Sequence, residues 1–202
     1  MIKEDENGYV TFWVPLYKKT VHDAFYPYMN GEQKEISLTH IPSDFYENDK
    51  FNISKLIENY KNYVKRRGFK PFMERDKDGN YKSIKESALI YSFETFITAI
   101  VQELKGKIYR EADTGLGKSD MIINIDNQEY LIETKVYSGV SRFEDGKQQL
   151  AYYAESLQLE KAIYLVYMAK RARKPETVKD DKEKINKIEI TTHLIEYDET
   201  KW

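Results

Sequence analysis

Gly117-Lys118-Ser119-Asp120-Met121-Ile122-Ile123-Asn124-Ile125-Asp126-Asn127-Gln128-Glu129-Tyr130-Leu131-Ile132-Glu133-Thr134-Lys135-Val136-Tyr137 is the stretch on which the fold turns. Two runs rich in β-branched and aromatic residues, 118–126 and 129–137, flank the turn pair Asp126-Asn127, and the short link between them predicts a hairpin. Alternate side chains of a strand share a face. Glu133 and Lys135 therefore point one way with Leu131 and Tyr137, while Ile132, Thr134 and Val136 point into a core. Such a pair is either surface decoration on a solvated face or a working site. The apolar companions on the charged face favour the second, because burying either charge unpaired is expensive. Asp120 adds a second carboxylate on the neighbouring strand, beside Met121, Ile122 and Ile123. Two adjacent carboxylates repel unless a cation lies between them, and a hard divalent ion such as Mg²⁺ takes oxygen ligands while keeping several waters. Lys135 alongside could orient water or offset charge developing on a phosphate.

Working outward, the hydrophobic period lengthens from 2 to 3.6. Leu89, Ile90, Phe93, Phe96, Ile97, Ile100 and Leu104 form one apolar stripe, so residues 84–104 are expected to be a helix, opened by the capping-box pattern Ser83-Ile84-Lys85-Glu86 and closed by Gly106. A short strand over 108–111 links it to the hairpin. Downstream the patterns predict a helix over 144–158, an apolar strand over 162–168 and a last strand over 187–197. The densely charged residues between the final two strands, 170–187, read as a surface loop. Toward the N-terminus, residues 9–14 after Asn7-Gly8 read as a strand, 18–28 as a helix stopped by Pro27, and 30–50 as loop. Ile53, Leu56, Ile57, Tyr60, Tyr63 and Val64 then mark a helix that ends before Gly68. Its last turn, Lys65-Arg66-Arg67, either complements the helix macrodipole or faces DNA. This order of elements predicts an α/β layer around a mixed sheet.

The 202 residues suit one domain of ordinary size with an N-terminal extension. A net charge of −2 argues against a non-specific nucleic-acid coat and leaves room for an enzyme that meets DNA through one basic rim and a divalent ion. The absence of cysteine excludes disulfides, thiolate zinc sites and thiol catalysis, and fits a reducing cytoplasm. Residues 1–6 lack the apolar core of a signal peptide, and no run approaches the roughly 18 apolar residues of a membrane span.

The arrangement Gly117-Lys118-Ser119-Asp120 followed by Glu133-Thr134-Lys135 resembles the signature of the PD-(D/E)XK nuclease superfamily, with Ser119 in the place of the proline. Gly106-Lys107-Ile108-Tyr109-Arg110-Glu111 and Gly115-Leu116-Gly117-Lys118-Ser119-Asp120 are similar to a pattern of nuclease-like domains found C-terminal to AAA-type ATPases, with Lys118 where arginine is usual. Gln149 and Tyr153 match the Gln-x-x-x-Tyr helix motif of RecB-type members, and Glu94 is the match for the helix carboxylate that many relatives place before the sheet. Glu86 is assigned to capping. The resemblance covers residues 50–168, and residues 9–72 also resemble the segment immediately C-terminal to the ATPase in those larger proteins.

The resemblance implies a restriction-endonuclease-like α/β core, a mixed central sheet flanked by helices, over residues 81–202, with an N-terminal α/β extension over 1–80. It implies Mg²⁺ or Mn²⁺ held by Asp120, Glu133 and the carbonyl of Thr134, and phosphodiester hydrolysis of DNA. Lys135 would position the attacking water, Glu94 would reach the metal through water, and Gln149, Tyr153 and Lys118 would meet substrate. The candidate partners are DNA, an AAA-type ATPase domain or subunit, and a second copy of the chain, but no membrane. The rival reading keeps the fold without turnover, as a module that binds nucleic acid or couples to the ATPase. Glu111 matches the pattern too, and pairing with a nearby Lys or Arg is its expected role.

Ala112-Asp113-Thr114-Gly115-Leu116-Gly117-Lys118-Ser119 also fits a relaxed Walker A pattern. A phosphate-binding loop of that kind must run into a helix, whereas residues 121–125 have strand composition. The three histidines, His22, His40 and His193, lack metal-ligand spacing, and Phe25, Tyr26 and Tyr28 are read as packing.

Overall fold

A computed structural model describes residues 2–4, 10–12, 45–48, 50–67, 69, 73, 76–79, 82, 84–113 and 117–198. Contacts divide the chain into two compact units, Met1–Leu38 and Thr39–Trp202. In the first unit, strands β1 (Ile2–Glu4) and β2 (Val10–Phe12) pair antiparallel. The helix expected over 18–28, His22, His40 and the aromatics Phe25, Tyr26 and Tyr28 lie outside the described residues.

In the second unit, part of the segment expected as loop is a small hairpin, β3 (Tyr46–Glu47) with β4 (Lys50–Phe51). It leads into α1 (Ile53–Arg67), whose inner face is the predicted stripe Ile53, Leu56, Ile57, Tyr60 and Val64. Helix α2 (Glu86–Glu103) is followed by β5 (Lys107–Asp113), β6 (Lys118–Ile125) and β7 (Gln128–Val136). Helix α3 (Val140–Ser156) starts four residues earlier than its composition suggests, and β8 (Lys161–Ala169) follows. The segment 170–187 is not all loop. Asp181–Ile185 forms β9, which pairs antiparallel with β10 (Ile188–Tyr197). The run Asp181-Lys182-Glu183-Lys184 looks unlike a strand because β9 is an edge, where charges discourage further pairing.

The six strands form one mixed sheet in the order β5-β6-β7-β8-β10-β9. β7, β8 and β10 run parallel, with α3 as the crossover from β7 to β8, and the remaining pairs are antiparallel. Alternation sends Met121, Ile123, Ile132, Leu165 and Tyr167 to a core with α1 and α2, and Leu131, Tyr164, Val166 and Ile190 to one with α3. Fully burying each such aliphatic side chain contributes about 1.5–3 kcal/mol before entropy is counted. A polar chain crossing the first core is satisfied: the Tyr167 hydroxyl donates to Tyr60 at 3.0 Å, and Tyr60 to Ser92 at 3.1 Å. Among the described residues no helix is long and apolar enough to cross a membrane.

Candidate functional site

Strands β6 and β7 pair from Ile125↔Gln128 to Met121↔Ile132, and there the ladder stops. β7 continues beside β8 as far as Val136↔Tyr167. The two strands thus fork just where Asp120 and Glu133 face each other, and main-chain donors of β7 that would have met β6 are taken by carboxylates. Asp120 Oδ2 accepts the Thr134 N–H at 2.6 Å, and Glu86 Oε2 accepts the Val136 N–H at 3.4 Å. On its other side β6 pairs with β5 at Arg110↔Met121 and Ala112↔Ser119, but not between Glu111 and Asp120. Glu111 adopts a left-handed backbone there, φ 47°, a conformation uncommon for any residue other than glycine. Both neighbours of β6 therefore let go at Asp120.

Lys135 Nζ lies 2.7 Å from Glu133 Oε1 and 3.5 Å from Glu86 Oε1. Glu133 is 2% exposed, and its Oε2 is buried with no hydrogen-bond partner among the described residues. Leaving an ionised oxygen so placed costs on the order of 1–3 kcal/mol or more. Burial, then the negative charge of Glu133, pushes Asp120 up to about 7, against the hydrogen bond from Thr134 and the charge of Lys135. Burial likewise raises Glu133 above the ordinary glutamate range, with Lys135 and then the Asp120 N–H opposing. For Lys135 burial works downward, but the hydrogen bond and charge of Glu133, with Glu86 and Asp120 behind, outweigh it and hold the ammonium above the usual lysine range.

The donors fit a small hard cation. Among the described residues no group of three or more His, Cys, Asp or Glu side chains is placed to hold a metal. Two carboxylates, one with an orphaned buried oxygen, are nevertheless what Mg²⁺ asks of a protein when it keeps most of its waters. Thr134 can add its carbonyl, because an extended residue presents N–H and C=O on the same strand edge, and its N–H already faces Asp120.

Glu94 is not among the groups brought together. It lies two turns further along α2, roughly 12 Å of axial rise from Glu86, and pairs with Arg110 of β5 at 3.2 Å. The helix carboxylate at the fork is Glu86. The capping position expected for it shifts: α2 begins at Glu86, with Lys85 rather than Ser83 as its N-cap, and Lys85 makes no side-chain capping bond. Ser83 lies outside the described residues. Gln149 Nε2 donates to the Tyr153 hydroxyl at 2.6 Å, and Tyr153 packs against Gly117, where an added Cβ would come within 2.6 Å of that hydroxyl. The predicted pair thus braces the segment leading into Asp120. Lys118 belongs to β6 through its backbone, opposite Asp113, and its side chain lies outside the described residues. The Walker-like segment runs into this strand and not into a helix. His193 is buried on β10, away from the fork.

Sequence reasoning missed three contributors. Glu86 was hidden by its cap-like spacing, and Tyr164 by an unbroken apolar strand. Arg142 was missed because α3 was expected to begin after it. Glu86, Lys135, Arg142, Phe143 and Tyr164 line a cleft of about 420 Å³. Tyr164 is held over α3 by Gly146, where a Cβ would meet Cζ of the ring at 2.8 Å. Gly146→Ala should therefore destabilise by about 1–3 kcal/mol through overpacking, a fall of about 2–4 °C in Tm per kcal/mol. Thermal unfolding checks this. An unchanged Tm would contradict the packing.

A family model described as Domain of unknown function (DUF8371) matches residues 50–171. The matched region spans β4 to the end of β8 and holds Glu86, Asp120, Glu133, Lys135, Gln149 and Tyr153. A search of curated proteins finds no match. With more than half of its length inside the family match, the chain belongs to this family, a domain of unknown function.

Proposed function

We propose that the chain is a divalent-metal-dependent nuclease that hydrolyses DNA phosphodiester bonds on a restriction-endonuclease-like core. The observation that carries this is Glu133: a buried carboxylate with one oxygen on Lys135 and the other without a partner among the described residues, opposite Asp120 at the fork of β6 and β7. Asp120, Glu133 and the Thr134 carbonyl would hold Mg²⁺ or Mn²⁺, and Glu86, rather than Glu94, would meet it through water. A bound ion would polarise a phosphoryl oxygen and make water more acidic. Lys135 keeps its proton and can donate to a non-bridging oxygen or to the attacking water as negative charge builds. Glu86 fixes the start of α2 against the β7 edge and gives Lys135 a second carboxylate partner. Gln149 and Tyr153 position the strand that carries Asp120.

The test is cleavage of supercoiled plasmid and of labelled single- and double-stranded DNA with Mg²⁺, Mn²⁺ or EDTA. Cleavage that requires the metal and is lost in Glu133→Gln is the expected result. DNA binding without any cleavage in either metal would sink the enzymatic reading and leave the silent binding module.

A further inference from the structure

We propose that Tyr164 is the positioning residue of Glu133, its buried hydroxyl donating across one water to the carboxylate and steadying it to receive a divalent cation. The use of that cation to cut DNA rests on the nuclease reading; the coupling of Tyr164 to Glu133 does not. Tyr164 stands beside Glu133 in the parallel register of β7 and β8, and both side chains rise from the face of the sheet that α3 covers. Glu133 is 2% exposed and Tyr164 0%. Glu133 Oε2 and the Tyr164 hydroxyl both lack a hydrogen-bond partner among the described residues. One is an acceptor and the other a donor, and each left alone costs stability. A single water between them satisfies both.

The place of the hydroxyl is built into α3. A Cβ added at Gly146 would lie 2.1 Å from the hydroxyl oxygen and 3.3 Å from Cε2, so the phenol oxygen fills the notch that the glycine leaves. Phe143 packs on the ring, with centroids 5.8 Å apart, and keeps it from swinging toward another partner. Glycine inside a helix weakens it relative to alanine, and a buried hydroxyl weakens a core relative to phenylalanine. Two destabilising choices thus serve the placement of one oxygen atom. The other carboxylates around it are engaged. Glu86 accepts from Val136 and pairs with Lys135, Glu144 pairs with Lys147 at 2.8 Å, and Asp145 accepts from Ser141 at 3.4 Å. Thr192, the neighbour on β10, also has a buried hydroxyl without a partner among the described residues. That hydroxyl is one bond from Cβ and stays close to the sheet, whereas the phenol oxygen lies at the far end of its ring. Burial, and then the charge of Glu133 ahead of those of Glu86, Glu144 and Asp145, pushes the Tyr164 phenol up, so it remains a donor.

The experiment is Mn²⁺ titration calorimetry on the full chain as wild type, Tyr164→Phe and Ile190→Val, with thermal unfolding of each metal-free protein. Loss of the hydroxyl should weaken Mn²⁺ binding about 10–100-fold, the usual effect of removing a group that orients a metal ligand. The metal-free Tm should change little. Ile190 belongs to the same core and reports packing alone, so Ile190→Val should lower Tm and leave Mn²⁺ affinity unchanged. Equal Mn²⁺ affinity in the wild type and Tyr164→Phe would overturn the role of Tyr164. So would equal weakening in Tyr164→Phe and Ile190→Val, or no binding in the wild type. Plasmid cleavage separates this role from the nuclease reading. Weaker Mn²⁺ binding in Tyr164→Phe without cleavage by the wild type would sink the nuclease reading alone. Metal-dependent cleavage with equal Mn²⁺ affinities would sink the role of Tyr164 alone.

Discussion

In Lys135→Met, DNA cleavage at saturating Mg²⁺ is expected to fall by about 10²–10³-fold, the usual consequence of removing one preorganised donor to developing charge. Affinity for Mn²⁺ should change far less, because Lys135 is a cation and supplies no ligand oxygen. A large loss of metal affinity with turnover preserved would contradict its assigned role. The same variant carries a second signature. Its ammonium is the close counter-charge to Glu133, whose side chain is 3% exposed while that of Lys135 is 30% exposed. Removing one partner of a fully buried pair costs about 3–5 kcal/mol, and solvent at Lys135 reduces this to about 1–3 kcal/mol. The metal-free variant should therefore melt several degrees lower at pH 8, and Mg²⁺ should recover part of the difference by supplying positive charge to Glu133 through its other oxygen.

Asp120→Asn should move stability the other way. The wild-type carboxyl titrates at about 7 in the fold, against about 3.9 in an unfolded chain. Between those values the native state holds a proton that the unfolded state has lost, so stability falls as pH rises. The favourable contribution is complete below about 4 and gone above about 7. Three units would correspond to about 4 kcal/mol, and partial solvation of the side chain reduces this to about 1–3 kcal/mol. Without metal, Asp120→Asn should thus unfold at higher temperature than the wild type at pH 8, and the two should converge toward pH 4. The amide oxygen can still accept the Thr134 N–H, so the local hydrogen bond survives. A variant less stable than the wild type at pH 8 would refute the electrostatic account of the fork.

Alternation, turns and apolar stripes made most of the sheet legible. The Asp126-Asn127 turn and the two runs around it are the β6–β7 hairpin, and the stripes on α1 and α2 face the core they were expected to face. Four kinds of information were not local. Edge strand β9 carries charges that read as loop, because pairing with β10 and not composition makes it a strand. The start of α3 depends on a glycine conformation at 139 that composition does not signal. At the site, Asp120, Glu133 and Lys135 could be placed together because period 2 and one hairpin fix them. The helix carboxylate could not, since both Glu86 and Glu94 belong to α2 and only the docking of its first turn at Val136 decides between them. Tyr164 reads as core from its neighbours, and only the missing partner of its hydroxyl marks it out.

The most direct test of the central claim is Mn²⁺ titration calorimetry at pH 8 on the wild type and on Asp120→Asn, with folding of both verified by thermal unfolding. Saturable binding in the wild type, weakening as pH falls through about 7 because protons compete for Asp120, and its loss in the variant are predicted. Equal binding in both proteins, or none in the wild type, would contradict a metal centre at the fork.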